Sequence, residues 1–269
     1  MKAQSRAEIL RLLETHGLQP RKALGQHFLA DPNIVDKIIG AAGLTPDSRV
    51  VEIGAGTGTL TRGLAAAAGR VVAYEVDPRL RPVLGEVLAG TGVEVRIGDV
   101  LALDLDSELD GAGWVMVANL PYNVGTPVLL DALRHVPSII RFVIMLQKEV
   151  VSRLVANPGD PAYGIPSVVV GLHARTMSTF RVPPQVFVPP PAVDSTVVVL
   201  DRIDSDPGSE RAIELAGAGF GQRRKMLRSS LTSVLTDPAG SLTRAGIDPE
   251  RRAETVTPAE WLELARVAP

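Results

Sequence analysis

Two short stretches carry residue types that can do chemistry. Glu52-Ile53-Gly54-Ala55-Gly56-Thr57-Gly58 follows one apolar run, and Asn119-Leu120-Pro121-Tyr122 follows another. The glycines allow a tight turn and let the backbone approach a ligand closely. The second stretch ends an apolar run on an amide, a proline and an aromatic ring, so a turn stiffened by Pro121 stands where a strand stops. Two carboxylates join them. Glu75 lies 21 positions after Gly54 at the end of "RVVAYEVD", and Asp99 closes "VEVRIGD". A carboxylate at the tip of a second strand can accept both hydroxyls of a ribose. Asp99 could accept from an adenine amino group. Singly, each feature has a blander reading as a turn, a solvated strand end or a helix cap. Jointly, at the first three strand tips in order, they point to a nucleoside-containing cofactor.

The spacing narrows the choice. The dinucleotide fingerprint G-x-G-x-x-G needs glycine at position 59, where Thr59 stands. The E-x-G-x-G-x-G form seen here is associated with enzymes that use S-adenosylmethionine. A nicotinamide oxidoreductase is disfavoured by Thr59 and by the lack of an obvious proton-donor set.

These residues need a frame. From Arg49 onward, Val- and Ile-rich runs alternate with helical patterns: "RVVEIG" then "TLTRGLAAAAG", "RVVAYEVD" then "RLRPVLGEVLAG", "VEVRIGD", "WVMVANL" then "TPVLLDALRH", and "SIIRFVIMLQ" then "KEVVSRLVANP". Such alternation predicts a parallel sheet covered on both faces, a doubly wound α/β fold. "PSVVVGLHA" and "STVVVLDRI" read as two late strands, with an antiparallel edge plausible because little helix separates them. Upstream, "SRAEILRLLETHG" reads as an amphipathic helix stopped by Gly17, followed by the loop "RKALGQHFLADP" and a helix near Pro32–Ala42. The polar stretch Asp201–Glu210 reads as a linker. Beyond it only helical patterns remain, "RAIELAGAGFGQ", "RKMLRSSLTSVL" and "PAEWLELARV". The expected organisation is residues 1–203 as a catalytic domain with an N-terminal helical lid and residues 204–269 as a small all-helical domain.

Asn119–Tyr122 resembles the N/D-P-P-Y/F motif of amino-methyltransferases, and the chemistry explains the residue types. The N6 amine of adenine is a poor nucleophile because its lone pair is delocalised into the ring. The Asn119 side-chain oxygen and a main-chain carbonyl, that of Leu120, can accept its two N–H bonds. This draws the nitrogen toward tetrahedral geometry. Tyr122 can stack on the base, worth about 1–3 kcal/mol. No general base is required, and the base must be flipped or single-stranded to reach the site.

Several segments together resemble one family, the KsgA/RsmA ribosomal RNA adenine dimethyltransferases: "LGQHFL", "VEIGAGTGTLT", "YEVD", "GDVL", "NLPYNVGTP", "MLQKEV", "AYGIPSV", "VFVPPPAVDSTVV" and "FGQRRKMLRSSL". They run in order through nearly the whole chain. The resemblance implies a Rossmann-like class I S-adenosylmethionine-dependent methyltransferase sheet. It also implies transfer of two methyl groups to N6 of each of two adjacent adenosines, in a hairpin loop near the 3′ end of small-subunit ribosomal RNA. It implies cofactor contacts from His27, Leu29, Gly54, Glu75, Asp99 and Asn119. Many relatives carry Asn where His27 stands. It implies catalytic roles for Asn119, Leu120, Pro121 and Tyr122, with Phe187 facing the target base before the stiff run Pro189–Pro191. The densest basic cluster, Arg223, Arg224, Lys225 and Arg228, is the expected RNA contact, with Arg224 and Arg228 sharing a face at helical spacing.

The totals agree with that reading. The chain has 269 residues, no cysteine and a formal net charge of −2, with a pI near 6.1. Without cysteine there are no disulfides and no thiolate metal sites, and no metal is expected. A near-neutral chain must bind RNA through a local patch, which the basic cluster supplies. No apolar run approaches the ~20 residues of a membrane helix, and the first residues lack a signal-peptide core. The expectation is a cytoplasmic monomer whose partner is small-subunit ribosomal RNA or the assembling 30S particle, with a role in subunit biogenesis. Two alternatives stay open. Large-subunit adenine methyltransferases of macrolide resistance share the architecture but usually carry Ile where Leu120 stands. Non-enzymatic assembly or transcription factors also use this fold.

Overall fold

The computed structural model describes residues 4–121 and 124–268. Helix α1 (Arg6–Thr15) opens the chain, with Ser5 and Glu8 forming a capping box at its start. The two-residue strand β1 (Phe28–Leu29) and helix α2 (Pro32–Ala42) follow. The alternating region then yields β2 (Arg49–Ile53), α3 (Thr59–Ala67), β3 (Arg70–Glu75), α4 (Arg81–Val87), β4 (Glu94–Ile97), α5 (Leu105–Glu108), β5 (Trp114–Asn119), α6 (Gly125–His135), β6 (Ile139–Gln147) and α7 (Lys148–Leu154). After these come α8 (Ile165–His173), β7 (Ala174–Val182), β8 (Phe187–Val188), β9 (Ser195–Arg202), α9 (Ser209–Gly221), α10 (Leu227–Ser230), α11 (Pro238–Arg244) and α12 (Pro258–Val267).

The sheet has seven strands in the order β4-β3-β2-β5-β6-β9-β7. Strands β2 to β6 pair in parallel and β9 runs antiparallel to β6. Burial of both faces explains why β2 and β5 are buried at nearly every position rather than at alternate ones, Glu52 of β2 included. On one face α2 and α3 contribute Val35, Ile38, Leu60 and Leu64 to a core with Val50, Val117, Val143 and Val197. The β6–β9 register is pinned where Arg141 sits opposite Asp201. There the guanidinium donates to both carboxylate oxygens, at 2.6 and 2.9 Å. The strand order reverses between β2 and its neighbour β5, which opens a crevice at their carboxyl ends. β1 and β8 form a separate antiparallel pair, Phe28 opposite Val188 and Leu29 opposite Phe187.

The chain divides into two compact units, Met1–Val151 with Thr176–Arg202, and Ser152–Arg175 with Ile203–Pro269. The sequence reading expects one boundary, between residues 203 and 204. The second unit also takes in residues 152–175 because α8 buries Val168 and Leu172 in one core with Leu215, Leu242 and Trp261.

Three local expectations are corrected. "PSVVVGLHA" is helix α8 for most of its length, not a strand. An apolar run buried on nearly all sides has no period to distinguish helix from strand, and Pro166 in the first turn was the available sign. The edge strand falls instead on β7, whose residues are mostly exposed and polar. Finally, "RKMLRSSLTSVL" is not one helix. The chain turns over residues 222–226 and only Leu227–Ser230 is helical, so Arg224 and Arg228 do not share a helix face.

Candidate active site

Parallel strands bring their carboxyl ends to one edge, and the chemistry-bearing residues collect there. A cavity of about 210 Å³ is lined by His27, Gly54, Glu75, Asp99, Asn119, Leu120, Pro121 and Phe187, among others. Of the residues singled out in the first unit, Leu29 lines instead a smaller neighbouring cavity of about 30 Å³, its side chain buried in the core. Tyr122 lies outside the described residues.

The glycine loop is held in a shape few other residues tolerate. Gly54, Gly56 and Gly58 have φ of 84°, 58° and 82°, the left-handed region that disfavours a Cβ. Glu75 organises this loop from the tip of β3. Its Oε2 accepts from the Gly56 amide at 2.7 Å and its Oε1 from the Asp77 amide at 2.9 Å. A carboxylate has about four acceptor positions, so these bonds leave capacity for ligand hydroxyls. Burial pushes the Glu75 carboxyl up, and the two amides partly oppose this.

Asn119 ends β5 with its amide orientation settled. Nδ2 donates to the His27 carbonyl at 3.2 Å, so Oδ1 is the atom left to accept from a ligand. His27 is itself tied down, its Nδ1–H donating to the Pro189 carbonyl at 2.8 Å. These two bonds join the loop before β1, the tip of β5 and the segment after β8 around one cavity. Phe187 is buried within that wall.

Several roles escaped the sequence reading. Gln26 docks the loop before β1, its Nε2 donating to Asp77 Oδ2 at 3.0 Å while its Oε1 accepts from the Arg21 amide. The Arg79 guanidinium, together with Gln26, holds the Asp77 carboxyl down at about 2 despite the opposing effect of burial. Both residues sit inside motifs already singled out, but their partnership spans 51 positions and leaves no local pattern. Glu52 is fully buried behind the loop and lines the smaller cavity. Its Oε2 meets no hydrogen-bond partner among the described residues. Burial pushes its carboxyl up to about 8, with the neighbouring Thr61 hydroxyl pulling the other way and the Glu75 charge adding to the rise.

The residues fit a nucleoside cofactor such as S-adenosylmethionine. The loop offers bare backbone at Gly54 and Gly56, Glu75 can take ribose hydroxyls, and Asp99 accepts the Leu101 amide with one oxygen, leaving the other. Val76 and Leu101, both lining the cavity, expose 43% and 44% of their surface, apolar area that a purine ring would cover. Among the described residues no group of three His, Asp or Glu side chains could hold a metal ion.

The basic cluster lies in the second unit and divides by role. Arg223 Nη2 donates to the Tyr163 carbonyl and its guanidinium lies 5.8 Å from the Phe220 ring centre. Arg228 pairs with Glu250 at 3.2 Å. Arg224 and Lys225 are exposed on the turn.

Comparison with known proteins bears on this arrangement. The family model described as "Ribosomal RNA adenine dimethylase" matches residues 17–268. The chain is 44% identical over 281 aligned positions to Ribosomal RNA small subunit methyltransferase A of Pelotomaculum thermopropionicum, covering 97% of this chain and 95% of that protein. Among solved structures it is similar to a dimethyladenosine transferase from Plasmodium falciparum, with a TM-score of 0.78 and 27% identity over 88% of this chain and 96% of that one. It is also similar to the 23S rRNA methyltransferase ErmE, with a TM-score of 0.70 and 27% identity over 90% and 99%.

Proposed function

The chain belongs to the ribosomal RNA adenine dimethylase family, with the sheet of class I S-adenosylmethionine-dependent methyltransferases, and from that premise we propose which adenosines it modifies and how. The substrate is a pair of adjacent adenosines in the hairpin loop near the 3′ end of small-subunit ribosomal RNA, each taking two methyl groups on N6. The curated relative cited above carries a small-subunit name, which favours this target over the large subunit. Modification of an assembling particle would give the protein a part in subunit biogenesis in the cytoplasm. No described helix is long and apolar enough to cross a membrane.

The observation that carries the mechanism is the commitment of Asn119 Nδ2 to the His27 carbonyl. It turns Oδ1 into an acceptor at the cavity, where an adenine amino group can donate one N–H. The Leu120 carbonyl takes the second, and Pro121 stiffens the turn that holds both oxygens. The amine lone pair is thereby freed from the ring and aimed. S-adenosylmethionine, when bound, supplies an electrophilic sulfonium methyl. Glu75 and Asp99 would hold the cofactor's ribose and adenine, and the glycine loop would let it approach closely. Phe187 walls the target base. Alignment supplies most of the rate, with reacting atoms roughly 3 Å apart, and the product ammonium is acidic enough to lose its proton to water. Arg224, Lys225 and Arg228 contact phosphates, while Arg223 is engaged with the Tyr163 carbonyl and the Phe220 ring.

The test is to incubate the protein with labelled S-adenosylmethionine and unmethylated small subunits, then digest the RNA and identify nucleoside and position. N6,N6-dimethyladenosine at the 3′-end hairpin is expected. Label confined to large-subunit RNA in a parallel incubation would reject the target. Asn119→Ala should cut transfer at least about 100-fold, the scale of losing one aligned polar group, while cofactor affinity stays within a few-fold.

A further inference from the structure

The residues that lead into and open α1 hydrogen-bond to the glycine loop on one side and to the backbone that carries Phe187 on the other. Gln4 is buried, 1% exposed, and uses its whole amide on the glycine loop. Its Nε2 donates to the Thr57 carbonyl at 3.1 Å, while its Oε1 accepts from the Thr57 hydroxyl at 2.9 Å and the Thr59 hydroxyl at 2.5 Å. Two positions on, Arg6 Nη2 donates to the Gln185 carbonyl at 2.8 Å and the Phe187 carbonyl at 2.9 Å, fixing the backbone that presents the Phe187 ring. Between them stands Ser5, whose capping box with Glu8 holds the entry into α1. α1 is anchored in turn by Ile9, Leu12 and Leu13, which pack with Phe28, Leu84 and Val188. The two contacts are therefore made from one rigid turn.

We infer that Gln4 and Arg6 are positioning residues, Gln4 setting the cofactor loop and Arg6 setting the aromatic wall of the base pocket. Gln4 cannot be a core residue by default, because a buried amide is costly unless every polar atom is satisfied. Here all of its bonds go to Thr57 within the loop of positive-φ glycines and to Thr59 at the start of α3, so Gln4 clamps the far end of a loop whose near end Glu75 and the Tyr74 carbonyl already hold. Arg6 is exposed, so its value lies in the carbonyls it holds rather than in packing. Each residue acts through another group: Gln4 through the loop that lines the cavity at Gly54 and Gly56, and Arg6 through Phe187. The inference rests on the cofactor and base assignments proposed above.

The two roles separate in experiment. Equilibrium dialysis with labelled S-adenosylmethionine, initial rates on unmethylated small subunits and thermal unfolding are measured on the full chain. Gln4→Ala should raise the dissociation constant for S-adenosylmethionine about tenfold, because the freed loop must be ordered on binding, with kcat at saturating cofactor kept within about threefold. Arg6→Ala should leave that constant within about twofold and lower kcat about fivefold or more, since a base wall loosened by a fraction of an ångström misaligns the nucleophile. Arg6→Lys should recover part of the loss. If Gln4→Ala does not fold, Thr59→Val, which removes one of the three bonds, carries the cofactor arm with the same direction. Unchanged values in both variants overturn the inference. So does a parallel fall of affinity and kcat in both variants that tracks their loss of melting temperature. Failure of the unaltered protein to bind S-adenosylmethionine overturns the functional reading instead, which separates the two failures.

Discussion

Replacing Glu52 by glutamine should make the first unit less sensitive to rising pH. In the native state the carboxyl titrates at about 8 against an ordinary 4.5. The native form therefore keeps its proton over a range in which the unfolded chain has lost it. With more protons on the native state, stability falls as pH rises. The fall begins above the unfolded value near 4.5, runs at up to about 1.4 kcal/mol per pH unit, and ends near pH 8. The ceiling for the whole span is on the order of 5 kcal/mol, of which about 2 kcal/mol falls between pH 6 and 8. Glutamine copies the shape and donor capacity of the protonated acid, so the variant lacks this slope. The chain has two tryptophans, Trp114 in the first unit and Trp261 in the second. In a Trp261→Phe background, urea unfolding followed by fluorescence reads the first unit alone. Unfolding free energies at pH 5, 6, 7 and 8 should converge at the acid end and diverge in favour of glutamine by about 2 kcal/mol between pH 6 and 8. Curves that stay parallel within about 0.5 kcal/mol would show that the buried carboxyl does not hold its proton.

Two further outcomes follow from the cavity and the basic turn. Gly54→Ala forces a Cβ onto a backbone at φ 84°, although its nearest neighbour, the Asn119 carbonyl, is at an unstrained 3.5 Å. The cost is backbone strain of about 1–2 kcal/mol, and dialysis should show about tenfold weaker S-adenosylmethionine binding. Gly90→Ala, at φ 73° in open space, should lose similar stability without that weakening. Joint replacement of Arg224 and Lys225 by alanine should weaken binding of small-subunit RNA irrespective of sequence and reduce the slope of log affinity against log salt by roughly 1.5–2. An unchanged slope would remove the turn from the RNA interface.

How much of this was legible in the chain depends on how local the signal is. Gly54, Glu75, Asp99 and Asn119 each lie at or within two residues of a strand's end, and parallel strands place their ends together whatever the details of packing. The cavity-lining set was therefore readable from four strand tips. Residues 165–173 were misread because burial in the second unit's core erases periodicity, so valines with strand preference became a helix under tertiary packing. β7 was overlooked for the opposite reason, since an exposed edge strand needs no apolar face. The pairing of Gln26 with Asp77 and of Gln4 with Thr57 spans 51 and 53 positions. No pattern in sequence spacing announces a hydrogen bond between residues so far apart.

The fixed orientation of the Asn119 amide bears on which purine is refused. With one N–H of its nitrogen engaged by His27, the side chain turns its oxygen lone pairs to an incoming base, and the neighbouring Leu120 carbonyl offers others. An exocyclic oxygen in place of the amino group, as in guanine or hypoxanthine, would bring lone pairs face to face and remove the two amino protons that the protein oxygens would share. Discrimination against a deaminated nucleotide would then need no dedicated steric block, because the two atoms proposed to align the nucleophile would also disfavour its keto counterpart.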